Sequence, residues 1–244
     1  MKNAVALAAN DFRTVDSKIL IRIFYGIAAL AVLSLIISFG GRWFGHAIAL
    51  AGHTEDSTPY EVVIGNNVLK VPGNKIRFDR SRRDGIADRL ELYLHWPDMG
   101  GYSTAHSDDF NNLGPDKRLL FVSLEPQIMS RDMSGRFEPI YSALIAKPGK
   151  PASAGITLYD FTEKSGYSNE LLAVAARPGD NTPFVARCLS GPTADESLAA
   201  CERDITVGDG LILSYRFSRE LLDQWSALDA AIIDSARSML QTGR

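Results

Sequence analysis

The feature that most constrains this chain is an apolar run near its N-terminus. From Ile19 to Phe39 it reads ILIRIFYGIAALAVLSLIISF, with Arg22 as its one charge and none from Ile23 to Phe39. A helix rises 1.5 Å per residue, so about 20 such residues cross a hydrocarbon core of roughly 30 Å. No position in the run offers the polar face that a surface helix of a soluble protein would need. Arg22 lies one turn inside, where its side chain can snorkel to the headgroups, and Trp43 suits the opposite interface. The sequence therefore predicts one transmembrane helix over residues 19–39.

Orientation follows from the basic residues. Lys2, Arg13, Lys18 and Arg22 lie at or before the N-terminal end, and Arg42 alone lies close after the other end. The positive-inside rule puts the N-terminus in the cytoplasm and everything from about residue 45 outside it. Ala49-Leu50-Ala51 resembles a signal-peptidase site, but the apolar run exceeds a signal h-region and ends ten residues before Leu50, so retention as an anchor is expected. The resulting order is a cytoplasmic tail (1–18), the membrane helix (19–39), a juxtamembrane linker (40–58) and a periplasmic domain (59–244) of an inner-membrane protein. About 18 cytoplasmic residues are too few to fold a signalling domain.

Cys188 and Cys201 both fall in the exported part. An even count in an oxidising compartment predicts a disulfide. No C-x-x-C and no nearby histidine supports a metal or redox role for them.

The exported part reads as α+β: a mostly antiparallel sheet with a C-terminal amphipathic helix packed on it. Glu61–Ile64 and Val68–Val71 flank Gly65-Asn66-Asn67, a hairpin signal. Lys75–Asp79 alternates, as does Leu90–Trp96, which places His95 on the polar face of its strand. Leu119–Leu124 is nearly continuous and apolar, as a central strand would be. Further strands are expected over 156–161, 171–176 and 184–188. A second hairpin is expected from 205–207 and 211–217 around Gly208-Asp209-Gly210. The stretch 147–151, with Pro148, Gly149 and Pro151, reads as a break. In the tail, Leu221, Trp225, Leu228, Ile232 and Met239 form a helical stripe with Ser218 as N-cap.

Candidate chemistry is sparse. His95, Asp98, His106, Asp108 and Asp109 lie within 15 residues, but their spacing matches no metal motif, and no metal or cofactor is expected. Residues 97–115 are rich in turn formers and read as a long solvated loop, on which Trp96, Met99 and Tyr102 would contact a protein partner. Lys75, Arg77, Arg80, Arg82 and Arg83 could contact an anion. The net charge of −3 argues against a nucleic-acid partner. G-x-S-x-G, H-E-x-x-H and phosphate-loop signatures are absent. Ser34-x-x-x-Ser38 is a small-xxx-small pair. The expected partners are the lipid bilayer, through residues 19–39, and another envelope protein. The leading expectation is a non-catalytic scaffold or accessory subunit of an envelope assembly. The alternatives are a membrane-tethered envelope hydrolase using the His95–Asp109 region and a periplasmic immunity-type protein blocking an exported toxin.

Overall fold

The computed structural model of the 244-residue chain describes residues 17–49, 52–113 and 116–242. The expected cytoplasmic tail up to Asp16, the Leu50-Ala51 step and Pro115 lie outside the described residues. The chain divides into two compact units, Met1–Ala51 and Gly52–Arg244.

The first unit contains one helix, α1 (Ser17–Ala49). It runs ten residues past Phe39, so the first half of the expected linker is helical. From residue 21 to residue 37 nearly every described side chain is exposed, including Phe24, Leu30 and Ile36. Among the described residues no helix is long and apolar enough to cross a membrane.

The second unit is α+β, as the alternation in the sequence predicts. A small sheet contains β1 (Pro59–Ile64), β2 (Asn67–Pro72) and β3 (Gly85–Ile86), in the order β2-β1-β3. β1 and β2 are antiparallel and β3 joins β1 in parallel. Next come β4 (Leu90–His95), α2 (Ser107–Phe110) and β5 (Leu119–Pro126). A π-helical turn (Phe137–Tyr141) leads into α3 (Ser142–Leu144). The remaining elements are β6 (Lys150–Pro151), β7 (Ile156–Asp160), β8 (Glu170–Ala175), β9 (Phe184–Leu189), α4 (Pro192–Glu196), β10 (Cys201–Thr206), β11 (Leu211–Phe217) and α5 (Trp225–Met239). β4 to β11 form one antiparallel sheet in the order β4-β5-β11-β10-β9-β8-β7-β6.

Two expectations change and one holds. Lys75–Asp79 makes no strand: Gly73–Lys75 and Asp79–Ser81 are 3-10 turns, and one bridge, Ile76 to Leu92, is what remains of the alternation. Leu119–Leu124 is an interior strand as expected, paired with the edge strand β4 on one side and with β11, which arrives late in sequence, on the other. The C-terminal helix opens with a 3-10 stretch, Arg219–Gln224, and becomes α-helical at Trp225. Its N-cap is the expected one, with Ser218 Oγ accepting from the Glu220 N–H at 3.3 Å.

Alternation explains the layers. Leu211, Leu213, Tyr215 and Phe217 point from β11 into one core, together with Leu120, Val122 and Leu124 of β5 and the stripe of α5. Trp225 packs on Phe184 with centroids 4.7 Å apart and donates to the Ala154 carbonyl. On the opposite sheet face a smaller cluster of Met133, Tyr141, Ile145, Leu172 and Val185 covers only the β8–β9 side. Cys188 and Cys201 sit directly opposite one another on β9 and β10 and form the disulfide.

One polar network crosses the main core. Arg203 on β10 is fully buried; its Nε donates to Asp229 of α5 at 2.9 Å, and its Nη1 to Ser134 Oγ and the Val185 carbonyl, both at 2.9 Å. Asp229 also accepts from Tyr215 at 2.8 Å and from Arg177. Burial pushes the Tyr215 phenol well above its ordinary range, so it remains an O–H donor.

Candidate functional site

β4 ends at His95, and the chain then folds back over its own strand end. His95 N–H donates to the Gly100 carbonyl (2.8 Å) and Met99 N–H to the His95 carbonyl (2.7 Å), which makes a tight hook. The Trp96–Pro97 peptide within it is cis. The hook is sealed at Gly101, where a Cβ would sit 2.5 Å from the Asn74 backbone, so only glycine allows the approach. That approach lets Tyr102 N–H donate to the Asn74 carbonyl and Asn74 Nδ2 to the Tyr102 carbonyl.

This hook corrects two expectations about residues 96–115. The stretch is not a solvated loop throughout, because Thr104–His106 and α2 form a helical turn and Phe110 is buried. Trp96 and Tyr102 are buried rather than displayed to a partner, and Met99 is half-buried against the same core. The aromatic rings had a nearer surface to cover. Tyr102 stacks on His53 at 4.7 Å with planes 2° apart, and Phe110 meets both edge-on.

The hook gathers the candidate side chains. His95 is 4% exposed, although its strand face is otherwise polar, because the loop covers it and supplies partners. Its Nδ1 lies 2.7 Å from Asp98 and its Nε2 3.0 Å from Asp109. The His106 ring stacks on it, with centroids 3.9 Å apart and planes 10° apart. Asp108 is exposed on the far side of α2. Burial raises the Asp98 pKa, but hydrogen bonding and charge at His95 and backbone N–H groups outweigh it and hold the carboxyl below its usual range. Burial lowers the Lys75 ammonium, and the Asp98 charge holds part of that back, so the two are neighbours.

His53 supports the hook from outside it. Burial, and then the Arg82 charge, lower its pKa. Its contribution to stability is present above the unfolded value of about 6.5 and lost as pH falls through the lowered folded value. His53→Phe keeps a stacking ring without the titration. The drop in denaturant midpoint between about pH 7 and pH 5 should therefore be smaller in His53→Phe than in the parent.

The five basic residues do not form one patch. Arg77 pairs with Glu91 at 3.1 Å and lies over Phe78, Tyr93 and Phe121. Arg82 is buried along its side chain and donates to the carbonyls of Ile76 and Gly52. Lys75 faces Asp98, and Arg80 and Arg83 alone are exposed.

Exposed large apolar side chains of the second unit include Ile86, Leu113 and a group of three on another face. Ile128 is 94% exposed, with Met129 and Ile140 beside it. They rim an open groove of about 410 Å³ at the end of β5 and β11, whose floor includes Tyr141, Arg187 and Ser214. The segment after Pro126 carries no motif, and its one sequence signal is Ile128-Met129 set among polar residues.

No family model matches the sequence, and no curated protein matches it. Two solved structures are similar. One is Smlt3025, an immunity protein of the Stenotrophomonas maltophilia type IV secretion system, with TM-score 0.51 and 14% identity over 78% of this chain and 96% of that one. The other is the Neisseria meningitidis iron-regulated outer membrane lipoprotein FrpD, with TM-score 0.48 and 10% identity over the same shares. The first likeness establishes a shared fold; the second, below a TM-score of 0.5, carries no argument.

Proposed function

We propose that this chain is a membrane-anchored, extracytoplasmic protein-binding protein, non-catalytic, of the immunity type that blocks an exported toxin. The observation that carries the binding reading is the groove rimmed by Ile128, Met129 and Ile140. Exposed apolar residues clustered beside charged ones are the composition of a protein interface, and water is a poor permanent neighbour for them. Fold likeness to an immunity protein favours that role over a scaffold or accessory subunit, as an analogy of fold.

The anchor rests on the sequence. The charge-free run reaches Phe39, two residues beyond the described side chains of α1, and the basic residues before it favour an N-terminus in the cytoplasm. The Cys188–Cys201 disulfide suits an oxidising compartment such as the periplasm. Residues 19–39 would hold the protein in the inner membrane, with the domain of 59–244 outside the cytoplasm.

One experiment tests both halves. A photo-crosslinking residue is placed at Ile128, or at exposed Ala230 on α5, in the full chain carrying a periplasm-only reporter after Arg244. The expected result is reporter activity and a discrete protein adduct from position 128 that position 230 does not give. Equal adducts from both positions, or none, would remove the groove as the binding surface, and a silent reporter beside an active cytoplasmic one would reverse the topology.

A further inference from the structure

We infer that His95, Asp98 and His106 form a binding site for a divalent transition-metal ion of the zinc class, with Asp109 orienting His95 from its Nε2 side. The donors are already gathered: one ligand atom each from His95, Asp98 and His106 lie within 4.8 Å of one another. Four ligands about 2.0–2.2 Å from a tetrahedral zinc are roughly 3.3–3.6 Å apart, so the cluster needs to contract by little more than an ångström.

Hydrogen-bond bookkeeping at His95 gives the second reason. The His95 ring is buried, and both of its nitrogens face carboxylate oxygens, at 2.7 and 3.0 Å. A neutral imidazole has one N–H to donate, and ionised carboxylates only accept. One of the two contacts therefore sets a nitrogen lone pair against a carboxylate unless a cation intervenes, either a second proton or a metal. The charge of Lys75 acts on Asp98, not through a hydrogen bond to the ring.

The remaining ligand must turn. The His106 plane is nearly parallel to that of His95, whereas imidazole lone pairs lie in the ring plane, so the two cannot aim at one point as they stand. The Ser103 Oγ contact to His106 is 3.4 Å long and weak, so it offers little resistance. Entry is open, because the Asp98 side chain is 51% exposed and His106 is half-buried. Two imidazoles among the donors select zinc, copper or nickel over calcium and magnesium. The bound ion would clip residues 95–109 over the end of β4, a structural role that requires no catalysis and stands apart from the groove at Ile128.

The full chain is purified in detergent without a histidine tag, loaded with zinc, desalted and analysed for metal. Retention of about one equivalent per chain is expected, falling at least tenfold in His106→Ala and Asp98→Ala. The thermal midpoint of each variant in chelator is measured alongside, so that loss of metal is separated from loss of the His95 contacts. The parent alone should gain a higher midpoint on adding zinc. Retention of less than a tenth of an equivalent by the parent would overturn the site, and so would undiminished retention by the His106→Ala/Asp98→Ala double variant.

Discussion

Replacing Asp229 by alanine should lower the unfolding free energy by roughly 3–5 kcal/mol. The carboxylate is buried and accepts from Arg203, Tyr215 and Arg177 at once. Its removal leaves the Arg203 guanidinium, which is fully buried, without its counter-charge, and that desolvated charge has nowhere to go. A pair removed together behaves differently, because the desolvation cost of both ions vanishes with them. Arg203→Met/Tyr215→Phe/Asp229→Leu, which also removes the buried phenol that would lose its acceptor, should therefore recover much of what Asp229→Ala alone loses. Denaturant midpoints of the second unit within the full chain give both values. A loss below about 1 kcal/mol for Asp229→Ala would show that the network is not a core element.

Opening the disulfide should cost roughly 2–4 kcal/mol. Cys188 and Cys201 are cross-strand neighbours, both buried, and their bond closes a loop with a sequence separation of 13. In the chain-entropy account the bond acts by restricting the unfolded chain, so folded-state structure should barely change in Cys188→Ala/Cys201→Ala. Circular dichroism should overlay that of the parent while the denaturant midpoint falls. Thiol labelling of denatured, unreduced protein isolated directly from cells should find no free cysteine. Two labelled thiols per chain would remove the bond, and with it this support for an extracytoplasmic domain.

Local periodicity made much of the fold legible. The two hairpins, the strand before His95 and the stripe of Leu221, Trp225, Leu228, Ile232 and Met239 appear where alternation and helical spacing put them, since each element must bury one face. The same rules place Arg203 on the buried face of β10 with Cys201 and Ile205, and Asp229 on the buried side of α5 beside Leu228 and Ile232. The sequence does not say that these two charges meet, because 26 residues separate them and their pairing depends on how α5 lies on the sheet.

The candidate site shows the same division more sharply. Its residue types are visible in sequence between His95 and Asp109, and so are the turn formers that suggested an open loop. Strand alternation assigned His95 to a polar face and, at the level of the backbone, did so correctly. What buried it was a contact distant in sequence: the Gly101 backbone against Asn74, which draws the loop down over the strand end. Trp96 and Tyr102 then became core, and His95 acquired two carboxylates. The apolar character of α1 comes from residues adjacent in the chain, so sequence suffices to describe it, although the helix continues to Ala49, beyond the end of the apolar run. Which polar groups share a pocket, and which apolar ones remain in water at Ile128, was decided by tertiary packing, since a surface is what remains after every other face has found a partner.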